Sequence, residues 1–213
     1  MLVSQGRGRR RSPRLGRERR EPCPARRPIF QVFALRPRHH QLSDTVPVRI
    51  GEDPPVQCAL RKVRDDDLAV LFEQWADPVA AHMAAFTGPD HMEREAFERR
   101  WSKLRADETV IARVIVADGE VAGTIGSWDD ADGREITYWI GRSHWGRGIA
   151  TWALNAFLAL EPSRPLHARV ASDNVASLRV LEKCGFRVVE TERSFAEARS
   201  REIEEFVLRL EEA

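Results

Sequence analysis

Residues 109–141 constrain the fold more than any other stretch. TVIARVIVA (109–117) and EVAGTIGSW (120–128) are β-rich runs separated by Asp118-Gly119, and Asp132-Gly133 leads into a third run, REITYWIG (134–141). Asp-Gly between such runs is a hairpin signal, because both central residues of the tight turn need positive φ. Three strands joined in this way are antiparallel. A doubly wound parallel fold, with a helix between each strand and the next, is therefore not expected.

The flanking segments supply the helices. QCALRKV (57–63) alternates like a strand. Residues 64–67 open a helix with acids in its first turn and an apolar stripe at Leu68, Leu71, Phe72 and Trp75. Asp77-Pro78 ends it. A short helix over 79–86 and a turn at Thr87-Gly88-Pro89 follow, then a helix over 93–104 with Phe97, Trp101 and Leu104 on one face. Beyond residue 141 come a glycine turn, a helix that stops at Pro162, and a strand, LHARVAS (166–172). The next helix starts at Asn174 and closes at Gly185, a natural position for a left-handed cap. The last strands are 186–190 and 202–210. The expected class is α/β, a mixed and largely antiparallel sheet with flanking helices.

Charge divides the chain. Residues 1–45 hold twelve Arg, no Lys and three acids, a net of +9, against −8 for residues 46–213. The first segment has too few apolar residues to offset its ordering entropy. It reads as a disordered Arg- and Pro-rich tail, or as upstream sequence from a misplaced start, ahead of a basic arm for nucleic acid or a membrane surface. Phe30 and Phe33 are its only aromatic residues, which disfavours base stacking. The globular domain is expected over 56–213. Cys23, Cys58 and Cys184 have no paired or zinc-ligand spacing, so no disulfide framework and no metal site are expected, and a reducing cytosol fits. No apolar run reaches membrane-spanning length.

YWIGRSHWGRGIAT (138–151) carries the chemistry. It reads as a strand end, a turn with Gly141, Gly146 and Gly148, and a helix start. Such a turn exposes backbone N–H groups beside the positive end of a helix dipole, an anion site. Gly141 to Gly146 has P-loop spacing, but Arg147-Gly148 stands where Lys and Ser/Thr would be needed, so nucleotide hydrolysis is not expected. Gly146 and Gly148 match two glycines of the dinucleotide fingerprint, but Thr151 replaces the third and the strands before it are hairpins.

A second block, DNVASLRVLEKCGF (173–186), follows. Together the two blocks resemble the GNAT superfamily of acyl-CoA-dependent N-acetyltransferases, in particular the branch containing the ribosomal-protein alanine acetyltransferases. The resemblance runs from about Val56 to Leu210 in element order and is specific in Glu135–Thr151 and Asn174–Phe186. It implies that acetyl-CoA is a co-substrate whose pyrophosphate sits in a cradle of Trp145, Gly146, Arg147, Gly148, Ile149, Ala150 and Thr151. Trp145 replaces the family's usual Gln or Arg. Arg142 and Arg147 could supply charge, and each reads equally as a solvated surface arginine. The resemblance also implies splayed central strands, with pantetheine pairing along Trp139, Ile140 and Gly141, one of whose N–H groups polarises the thioester carbonyl. Asn174 would contact the cofactor arm, or serve only as a helix cap.

An attacking amine must lose a proton. Glu135 is at the family's place for the carboxylate base; the plainer reading is a strand-entrance charge beside Arg134. Asp129 and Asp130 are weaker candidates, read as solvated turn residues. The family's leaving-group acid, a Tyr, is Leu181 here, which leaves Ser177 as the nearest donor. Cys184 reads as a small buried hydrophobe. The resemblance implies that the segment 77–92 forms the acceptor wall; His82, Phe86 and His91 lie in it, and each reads as a core or surface residue ahead of a catalytic one. The expected acceptor is a primary amine, of a small molecule or a protein N-terminus, with a homodimer left open and neither membrane nor nucleic acid as partner. The alternative is a non-catalytic acyl-CoA-binding regulatory module.

Overall fold

The computed structural model describes residues 45–46, 56–88, 90–131 and 133–211. The Arg-rich segment before Thr45 lies outside them, as do Pro89 and Asp132. Eight strands form one sheet: β1 (Thr45–Val46), β2 (Cys58–Arg61), β3 (Ile111–Ala117), β4 (Glu120–Asp130), β5 (Gly133–Ile140), β6 (Leu166–Ala171), β7 (Arg187–Ala196) and β8 (Arg201–Leu210), in the order β1-β2-β3-β4-β5-β6-β8-β7. All neighbours are antiparallel except β5 and β6. The helices are α1 (Asp67–Trp75), α2 (Pro78–Ala84), α3 (Arg94–Ala106), α4 (Ile149–Leu158) and α5 (Val175–Lys183). This is the expected mixed α/β class.

The hairpin between β3 and β4 forms where Asp-Gly required it. Asp118 and Gly119 take φ of 51° and 85°. The sheet is covered on both faces, so β3 reads as a nearly continuous apolar run: Val114 and Ile115, on opposite faces, are both fully buried. Val114 packs with Leu71 of α1 and with Phe97, Trp101 and Leu104 of α3. Ile115 packs with α4 and α5, through Ile149, Ala153, Leu154, Phe157 and Leu181. Phe157 is completely enclosed. Phe157→Ala is expected to cost about 3–5 kcal/mol, measured by urea unfolding.

Three boundaries differ from the sequence expectation. β7 runs to Ala196 rather than ending at residue 190; its side chains are mostly exposed and polar, so no apolar alternation marks it. Its pairing with β8 through Ala196↔Arg201 supplies the backbone partners instead. β4 continues to Asp130, so Asp129 and Asp130 pair with Arg134 and Gly133 rather than lying free in a turn. The second helix stops at Ala84 because Ala85 adopts φ of 69°, outside the helical region.

Candidate active site

β5 and β6 pair in parallel at only two positions, Arg134↔Leu166 and Glu135↔His167. Beyond Glu135 the strands part, β5 continuing to Ile140 and β6 to Ala171. The result is a V-shaped gap with Glu135 at its apex. Along one wall, alternation in the ladder with β4 decides which backbone groups face the gap. Gly141 N–H donates to Ala122 O at 2.9 Å, toward β4. Trp139 has the same parity, so Tyr138 and Ile140 turn their backbone groups toward β6. Of the three residues expected to meet pantetheine, Ile140 is the one whose N–H faces the gap.

The glycine turn closes onto this wall. Trp145 donates its indole N–H to Ile140 O at 2.8 Å, and its backbone N–H to Arg142 O at 3.2 Å. Trp145 thus latches the turn to the end of β5. Gly146 and Gly148 take φ of 74° and 75°, left-handed values that a side chain resists, although nothing crowds the position where a Cβ would stand. Gly148 is the N-cap of α4 and offers no capping side chain. The first helical bond of α4 is Trp152 N–H to Gly148 O at 3.1 Å, which leaves the N–H groups of Ile149, Ala150 and Thr151 without helical partners. The buried Ile149 side chain anchors this end of the helix in the core. Left-handed glycines, an uncapped helix start and an adjacent strand gap together fit the phosphate and pantetheine ends of CoA.

The two arginines are already paired. Arg147 Nη2 lies 2.5 Å from Asp118 Oδ2, and Arg142 Nε lies 2.7 Å from Asp77 Oδ2. Asp118 is therefore both a turn residue and an arginine partner. Asp77 also caps α2, accepting from Val79 N–H at 2.8 Å. The charge beside the cradle is balanced rather than free.

Glu135 is 6% exposed and lies on the sheet face covered by α1 and α3. It does not pair with its neighbour in sequence. Arg134 points to the other face, where its Nε meets Glu161 at 2.8 Å and its Nη1 meets Asp129 at 3.2 Å. The nearest cation to Glu135 is Arg169, at 3.9 Å. Burial pushes the Glu135 carboxyl up to about 8; Arg169 opposes the shift, and Asp130 and Glu205 reinforce it. Asp130, which sequence placed among the weaker base candidates, is thus a neighbour that tunes Glu135.

Across the gap, Asn174 caps α5: its Oδ1 accepts from Ser177 N–H at 3.1 Å and its Nδ2 donates to Met83 O at 3.3 Å. Ser177 Oγ lies 2.7 Å from the Tyr138 hydroxyl of β5. Leu181 is 2% exposed, in the core. Cys184 is buried beside it, its thiol pushed up to about 11 by burial and directed at Thr151 O. In the segment before α3, Phe86 packs on Ala85, Ala171 and Ala196, and His91 bonds its ring to Gly88 O at 2.9 Å. His82 offers its carbonyl to Arg199.

The sequence did not show that Tyr138 meets Ser177, nor that Asp77 and Asp118 are the partners of the arginines. Tyr138 is the chain's single tyrosine.

A model of the acetyltransferase (GNAT) domain matches residues 58–187, more than half of the chain. The chain belongs to the GNAT acetyltransferase family. An uncharacterized N-acetyltransferase, p20, of Bacillus licheniformis is 28% identical over 162 residues, covering 71% of this chain and 90% of that protein. Among solved structures, Mycobacterium smegmatis RimJ in complex with CoA-disulfide superposes with a TM-score of 0.60 at 26% identity, covering 72% of this chain and 81% of that one. Spermidine N-acetyltransferase from Vibrio cholerae, in complex with CoA and spermine, superposes with a TM-score of 0.64 at 18% identity, covering 73% and 95%; at that identity the likeness is one of fold. This GNAT protein is an acetyl-CoA-dependent N-acetyltransferase. Among the described residues no cluster of His, Cys, Asp and Glu is placed to hold a metal, and no helix is long and apolar enough to cross a membrane.

Proposed function

We propose that the enzyme moves the acetyl group of acetyl-CoA to a primary amine, of a small molecule or a protein N-terminus, by direct attack in a ternary complex. The observation that carries this reading is the parting of β5 and β6 immediately beyond a buried carboxylate, Glu135. Residues 56–213 carry the activity in this reading. The N–H groups of the turn from Gly146 to Thr151 hold the pyrophosphate, and Arg147 exchanges Asp118 for phosphate oxygen. Ile140 N–H polarises the thioester carbonyl, and a fixed donor at that oxygen stabilises the charge that develops there. Asn174, already fixed as the cap of α5, orients the arm of the co-substrate.

Glu135 takes the proton from the amine. With its carboxyl held near neutrality, it matches the operating range of a general base. A neutral amine then attacks the carbonyl carbon, and Ser177 supplies the hydrogen to the departing sulfur. The excess of acid in residues 46–213 favours a cationic acceptor in approach. The spermine complex of the Vibrio protein suggests polyamines as one acceptor class to assay first, and the ribosomal-protein alanine acetyltransferase branch that the sequence resembles suggests alanine-terminated peptides as the other.

The test is incubation with labelled acetyl-CoA and a panel of polyamines and alanine-terminated peptides, read by mass spectrometry. Mass gain of one acetyl group on an amine is expected. CoA binding without acetylation across the panel would return the non-catalytic module instead.

A further inference from the structure

We infer that Tyr138 is the positioning residue of the leaving-group step: its hydroxyl aims Ser177, at the start of α5, at the sulfur of CoA in the gap between β5 and β6. The inference rests on the acetyl-transfer reading above.

Tyr138 stands three residues beyond Glu135, on the part of β5 that has left β6. Its side chain packs against the cluster under α4 and α5. The phenol oxygen lies 2.7 Å from Ser177 Oγ and 3.3 Å from Ser177 O. Ser177 is in the first turn of α5, with its backbone N–H held by Asn174. The hydroxyl pair therefore joins β5, one wall of the gap, to the first turn of α5, which directly follows β6, the other wall.

The chemistry of the pair sets its direction. A phenol is a far stronger acid than an aliphatic hydroxyl, so it is the better donor. The shorter of its two contacts is to Ser177 Oγ. Tyr138 donating there leaves the serine hydrogen free to point at a third atom. Burial keeps the phenol protonated, raising it above its ordinary range. The helix position that carries a tyrosine in many GNAT relatives is Leu181, locked in the core. Here the phenol comes from the opposite wall and acts through serine.

The step balances without an added reagent. Glu135 takes the first proton of the ammonium and passes it to water; nitrogen of the neutral amine then bonds to the carbonyl carbon, and its second proton passes to Glu135. The C–S bond breaks with its electron pair on sulfur. Sulfur takes the Ser177 hydroxyl proton, and Ser177 takes one back from water while Tyr138, still protonated, holds it by the hydrogen bond. Water receives the proton from Glu135, so amine and thioester give amide and thiol.

Two measurements test the inference. In calorimetric titrations with CoA and with desulfo-CoA, the wild-type enzyme should prefer CoA by about 3–10-fold, the range of one hydrogen bond. Ser177→Ala should abolish the preference, Tyr138→Phe should reduce it, and Ser177→Thr should keep it. In turnover, Tyr138→Phe should lower kcat by about 10–100-fold with the KM for acetyl-CoA unchanged, and the double variant should be no worse than Ser177→Ala alone. A purely structural role predicts a changed KM or melting temperature and independent, multiplying losses; either result overturns the inference. Equal wild-type affinity for CoA and desulfo-CoA overturns it while leaving the cradle intact. Failure to bind CoA at all overturns both.

Discussion

Glu135→Gln is expected to lower kcat by about 10²–10⁴-fold, the contribution typical of a positioned general base. CoA affinity should be retained, because the carboxyl sits at the apex of the gap and not in the glycine turn. The pH profile gives the sharper signature. With its carboxyl pushed up to about 8, Glu135 is mostly protonated at neutral pH and cannot accept the amine proton. Wild-type kcat/KM should therefore climb with pH and level off above about 8, and the Gln variant should lack that climb. Stability runs the other way. The folded carboxyl titrates above its unfolded value, so its contribution is fully present below the unfolded value, about 4.5, and is lost as pH rises through the folded one. A shift of this size is worth up to about 5 kcal/mol. The difference in unfolding free energy between wild type and Glu135→Gln, taken at pH 5 and pH 9, should move in the variant's favour at high pH. Unchanged turnover in the variant would remove Glu135 from the mechanism.

Gly148→Val is expected to abolish the rise in melting temperature that acetyl-CoA produces. At a hundredfold excess over Kd, a ligand of the folded state adds about 2.7 kcal/mol, which for a domain of this size is roughly 5–10 °C. Gly148 holds φ of 75° at the N-cap of α4. A β-branched residue there costs about 1–2 kcal/mol or more, because its Cβ meets the following carbonyl. The turn relieves that strain by moving, and the N–H groups of Ile149, Ala150 and Thr151 lose their common direction. Strain alone also lowers the melting temperature, so a control is needed. Gly185, at φ of 91° beyond the end of α5, carries a comparable backbone demand away from the cradle. Gly185→Val should lose stability and keep the shift. A shift that survives in Gly148→Val would place the pyrophosphate elsewhere.

Some of this was legible in the chain before any coordinates. Asp118-Gly119 announced a hairpin because few dipeptides accept positive φ twice in succession, and the backbone there takes it. Gly185 announced the end of α5 for the same reason. β7 beyond Glu190 was not legible, since its exposed polar side chains carry no period and its partners are on β8, across another turn. Leu181 could be read as a departure from the family's tyrosine. That Tyr138 faces Ser177, 39 residues away, could not be read.

The sequence by itself determined the meander, the glycine turn, the helix caps and the family, because each depends on neighbours within a few residues. Hydrophobic period, turn chemistry and capping are local and leave a local record. Only the tertiary structure decided which polar groups meet. It set Arg142 against Asp77, 65 residues away, and Arg147 against Asp118, 29 residues away, so that the cradle's arginines are neutralised. It also turned Arg134 from Glu135 and buried that carboxyl near Arg169 and Glu205. Such pairings carry no periodic signal: one charged side chain reads like another until the fold brings its partner within reach and removes the water between them.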